Sequence, residues 1–493
     1  MNTALAYLPA FELALRIRRR EISATELLRH YLHRVARLNP ALNAIVVHDT
    51  ERALQRAQQA DAALARGELW GPLHGVPITV KESFNIAGLP TTFGHTEQRD
   101  NIASETAVAV QRLQAAGAIV FGKTNVPTAL ADWQSFNPVY GTTNNPWDVT
   151  RTPGGSSGGA AAALAAGLTG LELGSDIGAS IRNPAHYCGV YGHKPTWGLL
   201  PMVGQQLHAD ETTDTFDIAA IGPLARSATD LILAMDILAA PVESYGPMGR
   251  APAVWRDSGR SPAHCRVAVI CDDAQAEVDE SVRAPIRALA QFMRERGLQV
   301  SEDARPVDSA ETNHVYIHLL RAATGARLSD ADYQRMQGLA RDVDPAAQDY
   351  ASRAYRGATL SHRDWHLLDQ RRERLRRQWA AFFERYDLLI CPVATTSAFK
   401  HNQVGERWQR MIDVNGHDQP TTEALFWAGY PGVVGLPATA IPLGRTAQGL
   451  PVGAQIIGPA FADPLCLRFA QWLEREYIGF TAPDLQALPV PAL

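Results

Sequence analysis

RTPGGSSGG, residues 151–159, runs directly into AAAALAAGL, residues 160–168. Glycine and serine would read as a flexible linker if more of the same flanked them. Here Asn145, Pro146, Trp147 and Arg151 stand upstream, and a run of alanines, the strongest helix former, follows. The stretch is therefore a loop entering a helix N-terminus, where unpaired backbone N–H groups collect. It is not a P-loop, which needs Lys and then Ser or Thr after the second glycine, and GxGxxG is absent.

Around this loop lie short apolar runs bounded by Gly, Pro and Asn: GVPITV at 75–80, AIVFG at 118–122 and LELG at 171–174. These mark buried strands. ETAVAVQRLQAAG at 105–117 has helical texture, so strands alternate with helices and the expected fold is α/β, with a mixed or parallel sheet and helices on both faces. RVAVIC at 266–271 repeats the pattern, followed by a helix through Val282, Ile286, Leu289 and Phe292 that contains Pro285 against the usual rule. YDLLICPVA and GYPGVVGLPATAIPLG return to strand texture, and DPLCLRFAQWLEREY reads as a terminal helix.

Residues 1–70 form an N-terminal helical segment expected to pack on the α/β domain of residues 71–493. In ISATELLRHYLHRVARLNP, Ser23 and Glu26 have capping-box spacing, Leu27, Leu28, Tyr31, Val35 and Leu38 share a face, and Pro40 closes the helix. Residues 240–265, rich in Pro, Gly and Ser, read as a linker-like excursion, and 305–385 as a helical, cap-like region.

The chain has 493 residues, 46% hydrophobic and 20% charged, an ordinary globular composition. A net charge of −5 gives no reason to expect a nucleic acid or an anionic membrane as partner. The arginines of RRERLRR at 371–377 are expected on the solvated side of a helix whose apolar face holds Leu368, Leu375, Trp379, Phe382 and Tyr386. Cys188, Cys265, Cys271, Cys391 and Cys466 are scattered without CxxC spacing, which predicts reduced thiols and no metal. Glu12 interrupts the first apolar run, and no window approaches eighteen uncharged apolar residues, so a cytoplasmic protein without a membrane span is expected.

GSDIGASIRNPA, residues 174–185, carries the chemistry. A strand ends in a tight turn that places Ser180 at the start of a new segment, an arrangement that aims a hydroxyl outward beside successive amides. The amides of Ile177, Gly178, Ala179 and Ser180 are candidates for stabilising an oxyanion. A serine nucleophile needs a base. No His–Asp arrangement is legible around His74, His186 or His193. A lysine lowered toward neutrality is the other option; a shift of about three units costs on the order of 4 kcal/mol and requires a buried site. Lys81, Lys123 and Lys194 all stand beside turns, spacing does not choose among them, and each taken singly reads as a solvated strand end.

The chain resembles the amidase signature family of Ser-Ser-Lys hydrolases. The likeness runs from GVPITVKESFNIAGLPTTFG through GKTNVP, NPWDVTRTPGGSSGG and GSDIGASIRNPAHYCGVYGHKPTWG to IGPLARSATDL and GLPATAIPLGRTAQGLPVGAQIIGP. The resemblance implies the amidase signature fold, a large mixed twisted sheet flanked by helices on both faces, with Ser180 as nucleophile, Ser156 as a bridging serine held by a cis peptide, and Lys81 as the base. Ser175, Asp176 and Arg182 are implied as supporting residues, and no cofactor is implied. The family's usual second glycine before the nucleophile is Ala179 here, which puts the shape of the pocket in question.

The implied reaction is hydrolysis of a carboxylic amide, extending in the family to esters and carbamates. The substrate is expected to be a small molecule with an apolar or aromatic group, a view that Tyr140, Trp147 and Trp197 near the motifs favour, contacted by residues 125–145 and 305–450. A monomer or homodimer is expected. One alternative is the amidotransferase subunit that supplies ammonia for tRNA-dependent amidation, from which Ile177, Ala179 and Asn183 depart. The other is an inert binding protein on the same fold.

Overall fold

The computed structural model describes residues 3–206, 215–239, 259–486 and 488. An eight-stranded mixed sheet forms the centre, in the order Gln299–Ser301, Arg266–Val269, Leu388–Pro392, Pro451–Ile457, Ala438–Arg445, Tyr191–Lys194, Ala220–Ala225 and Glu172–Asp176. The first two pairings are parallel and the remaining five antiparallel. The fold is the expected α/β arrangement. Both faces of the sheet are covered: Ile221 and Ala225 enter one apolar core and Leu224 the other, and the neighbours Ala440 and Ile441 divide the same way. That division follows from the alternation of side chains along a strand. Helices Gly158–Ala165 and Arg182–Cys188 fill the smaller core, and their residues are buried throughout.

A separate three-stranded sheet adjoins the edge strand Glu172–Asp176. Its strands are Ile45–His48, Ile119–Thr124 and Pro77–Lys81, the last parallel to its neighbour. The two sheets meet through Thr79, whose amide donates to the Leu171 carbonyl at 3.4 Å and whose hydroxyl donates to Glu172. Lys81 ends a strand of one sheet, and Ser175 and Asp176 end a strand of the other. The functional residues gather at this seam.

Several local expectations are corrected. Residues 1–70 are not wholly helical, because Ile45–His48 is a strand. The helix Ala24–Leu42 has the expected Ser23–Glu26 capping box but continues past Pro40, ending only where Asn43 adopts a left-handed conformation (φ 49°). A proline two residues from a helix end removes one hydrogen bond and leaves the rest of the ladder intact. Pro285 likewise lies inside an unbroken helix, Glu280–Glu295. The first part of GYPGVVGLPATAIPLG belongs to helix Leu425–Gly432, and the strand begins at Ala438. A fully buried helix shows no apolar stripe, so its composition mimics a buried strand.

Of the linker-like segment, residues 240–258 lie outside the described residues, and Pro262–His264 is a short 3₁₀ turn. Residues 309–385 are dominated by four helices, Ser309–Gly325, Asp330–Asp342, Tyr350–Ala358 and His362–Arg385. Within the arginine cluster Arg374 and Arg377 are exposed, but Arg372 is buried between Asp217 and Asp369, at 2.7 and 2.6 Å, and Arg371 pairs with Glu311. All five cysteines are free thiols. Among the described residues no helix is long and apolar enough to cross a membrane.

Candidate active site

Alanine-rich Gly158–Ala165 is a buried helix, and the loop before it threads a crowded seam. A side chain on Gly155 would meet the Asp132 carbonyl at 2.3 Å, and one on Gly159 would meet the Asn125 amide at 2.3 Å. Glycine is required at both places because backbone passes backbone there. The peptide joining Gly155 to Ser156 is cis, as the family resemblance implied. The neighbouring Ser157 amide donates to the Ser180 carbonyl at 3.1 Å, tying this loop to the turn that carries Ser180.

That turn is organised by Asp176. Its carboxylate accepts the amides of Ala179 at 2.9 Å, Ile181 at 3.1 Å and Arg182 at 3.3 Å, and is gripped by Arg182 through Nε at 2.9 Å and Nη2 at 2.8 Å. Burial opposes ionisation of Asp176, but the Arg182 charge overcomes it and holds the carboxyl below its ordinary pKa. Arg182 is fastened in turn to Gln455 at 2.8 Å and the Ala428 carbonyl at 3.1 Å.

The carbonyls of the turn are pinned one by one. Tyr316 Oη donates to Ile177 O at 3.1 Å, Trp133 Nε1 to Gly178 O at 2.7 Å, and the Asn183 amide to Ala179 O at 2.6 Å. In a trans peptide the N–H points opposite the carbonyl, so these contacts orient the amides of Gly178, Ala179 and Ser180. Here one candidate is corrected: the Ala179 amide is already given to Asp176, and Ala179 does not line the cavity. Ile177, Gly178 and Ser180 do line it, and their amides have no internal partner among the described residues. Ala179 adopts φ +65°, the left-handed conformation that a glycine takes without penalty.

Lys81 lies behind the two serine-bearing loops. Its Nζ donates to Ser156 Oγ at 2.7 Å and Ser175 Oγ at 3.0 Å. Burial pushes its pKa down to about 7, against the opposing pull of Asp176 and Glu82. Contrary to the solvated strand-end reading, all three lysines are buried. Lys123 donates to Pro90 O and to Thr91 Oγ1 at 2.9 Å, and Lys194 to Pro195 O at 2.7 Å. Of the three, Lys81 contacts the serine-bearing loops.

Ser156, Ser175 and Ser180 open onto a cavity of about 720 Å³. Its walls include Phe93, Trp133, Tyr187, Phe216, Phe399 and Trp408. Tyr140, Trp147 and Trp197 are absent from them; these rings direct their polar atoms to Glu82, Cys188 O and Phe216 O instead. Residues 129–134 and stretches between 320 and 425 contribute to the lining, within the two regions expected to contact substrate. Trp133 was missed as an individual residue, since a tryptophan between turn residues gives no sign of which carbonyl its N–H will find. His74, His186 and His193 do not reach the cavity, and His193 is instead paired with Asp463 at 3.2 Å. No cluster of three or more His, Cys, Asp or Glu suited to a metal occurs among the described residues.

The amidase family profile matches residues 26–467. The chain belongs to the amidase signature family. It is 34% identical over 470 residues to an acylamidase of Rhodococcus erythropolis, covering 94% of each chain. It is also 33% identical over 463 residues to a glutamyl-tRNA(Gln) amidotransferase subunit of Methylobacillus flagellatus, covering 90% of this chain and 92% of that one. A solved structure of a protein complex bearing on the origins of an s-triazine catabolic enzyme superposes with a TM-score of 0.80, at 29% identity over 96% of this chain and 99% of the other. Membership in this amidase family supports amide hydrolysis as the general reaction class.

Proposed function

We propose that this protein hydrolyses carboxylic amides of small molecules to acid and amine through an acyl-enzyme on Ser180. The observation that carries the proposal is the 2.7 Å contact of buried Lys81, its pKa pushed down to about 7, on Ser156 Oγ. In this reading neutral Lys81 takes the Ser156 hydroxyl proton while Ser156 takes that of Ser180, and Ser180 Oγ attacks the amide carbonyl. The tetrahedral oxyanion is received by the amides of Ile177, Gly178 and Ser180. The proton returns through Ser156 to the leaving nitrogen, and water then repeats the sequence to release the acid. Asp176 and Arg182 hold the turn, and Ser175 holds Lys81. Esters and carbamates, which pass through the same oxyanion, are further substrates.

The aromatic walls support a substrate with an apolar or aromatic portion. A second reading, a glutaminase component of a tRNA-dependent amidotransferase, draws on the similarity to the Methylobacillus flagellatus protein. Ser180→Ala tests the first: turnover of a panel of anilides and aliphatic amides and labelling by a fluorophosphonate should both disappear. Unchanged turnover would remove Ser180 from the mechanism. Glutaminase activity that appears only with partner subunits and tRNA, without hydrolysis of simple amides, would establish the second reading.

A further inference from the structure

Four arginines line the cavity: Arg321, Arg327, Arg407 and Arg410. Arg410 is compensated by Asp132 at 2.5 Å, and Arg327 packs 4.0 Å over the Phe216 ring. Arg321 and Arg407 differ. Neither has an ion-pair partner among the described residues, and the Nε of each is buried without a hydrogen-bond acceptor. Arg321 is only 8% exposed; its Nη2 reaches the Tyr350 hydroxyl and its guanidinium lies 5.2 Å from the centroid of that ring, so its partner is a neutral side chain and no carboxylate meets the charge. Arg407 donates to the Ala131 carbonyl. Burial, and after it the Arg407 charge, push the pKa of Arg321 below its ordinary value.

The acids that line the same cavity are already engaged. Asp132 is held by Arg410, Asp176 by Arg182, Asp332 by Arg335 and Glu97 by His95. Asp132 also feels the Arg407 charge without forming an ion pair with it. Arg321 is withdrawn from water while Arg407 is half-buried on the same cavity wall; a buried guanidinium is unfavourable unless an anion joins it, and the forked donors of the two suit the two oxygens of a carboxylate.

Two routes locate this pair relative to Ser180. Tyr316, which touches the Ile177 carbonyl, precedes Arg321 by five residues on helix Ser309–Gly325, ~7.5 Å along the axis. Ala131, which accepts from Arg407, precedes Trp133, the partner of Gly178 O, by two residues, at most ~7 Å of backbone. Along both routes the backbone that carries Arg321 or accepts from Arg407 is one to two helical turns, or two residues, from a residue whose side chain touches the Ser180 turn.

We propose that the substrate amide carries a carboxylate, separated from the scissile bond by an aromatic ring or short chain, and that Arg321 and Arg407 bind it. This rests on the acyl-enzyme reading of Ser180. The apolar walls then hold the spacer, and the arginines act as specificity determinants at its far end.

Matched substrates test the proposal. N-acetyl-4-aminobenzoate is compared with acetanilide, placing the carboxylate on the amine side, and half-anilides of dicarboxylic acids of increasing length are compared with alkanoyl anilides of the same length, placing it on the acyl side. In one of the two series the carboxylated member should show a kcat/KM at least about tenfold above its neutral partner. Arg321→Gln and Arg407→Gln should each reduce that ratio at least about fivefold. The ratio is taken within one protein, so partial loss of folded enzyme cancels. A wild-type ratio of one or less in both series overturns the carboxylate site, as does a ratio that neither variant changes. If neutral anilides turn over and the fluorophosphonate labels Ser180 but no preference exists, the carboxylate site alone fails. If nothing turns over and Ser180 is not labelled, the acyl-enzyme reading fails and the proposal falls with it.

Discussion

Replacing Lys81 with methionine will abolish amide turnover and raise the stability of the protein near neutral pH. Burial lowers the Lys81 pKa from 10.5 to about 7. At ~1.4 kcal/mol per unit, holding the protonated amine in the fold costs on the order of 4–5 kcal/mol relative to the unfolded chain. The unfolded chain keeps the proton up to about pH 10.5, whereas the folded protein releases it near 7. Between those values the unfolded state binds more protons, so wild-type stability rises with pH across that window, and below pH 7 the full penalty is present. Methionine is apolar and of similar length, but it loses the hydrogen bonds to Ser156 and Ser175, worth ~1 kcal/mol each. The variant should therefore be more stable by ~2–3 kcal/mol at pH 6.5, with the advantage shrinking by ~1.4 kcal/mol per pH unit above 7 and vanishing near pH 9. Urea unfolding of both proteins at pH 6.5, 8 and 9 measures this directly. A methionine variant less stable than wild type at pH 6.5, or a difference independent of pH, would refute the reasoning. The same titration governs catalysis: kcat/KM of the wild type should rise with pH, bend near 7, and lie about a hundredfold below its plateau at pH 5. A profile flat across that range would exclude Lys81 as the base.

Asp176→Asn leaves Arg182 buried and charged without its counter-ion; it should cost ~3–5 kcal/mol in urea unfolding and lower kcat through loosening of the Ser180 turn. Wild-type stability would count against that organising role. Gly159→Ala brings a methyl group to 2.3 Å from the Asn125 amide, where backbone must move to make room, and should cost ~1–3 kcal/mol by thermal unfolding; a neutral result would mean that the crowding at the seam is easily relieved.

Much of the site was legible along the chain because its parts are local. The run of alanines after GGSSGG made a helix, and the tight turn after LEL placed Ser180 beside amides, since both depend on near neighbours. The amidase signature resemblance brought Lys81, Ser156 and Ser180 together across 99 residues, which no periodicity could do. The loss of Ala179 from the set of candidate amides was not legible. It depends on the direction of one N–H, set by a carboxylate three residues earlier that is itself positioned by Arg182. That Arg321 and Arg407 meet no carboxylate among the described residues was equally hidden, because composition counts charges without saying which ones meet.

Local pattern was enough to establish strands alternating with helices, the glycine loop entering a helix, and the residue types for acyl transfer. It was not enough to separate Lys81 from Lys123 and Lys194. All three end or adjoin short apolar runs, all three are buried, and burial lowers the pKa of each, to about 7 for Lys81 and about 8 for the other two. The difference lies in what each amine touches, and that is set where two sheets meet at Thr79 and Glu172. The family resemblance named Lys81, but desolvation and hydrogen-bond partners are properties of the packed surroundings, contributed by segments far apart in the chain, so only the assembled fold gives the physical reason: of three buried amines, this one touches the serine-bearing loops.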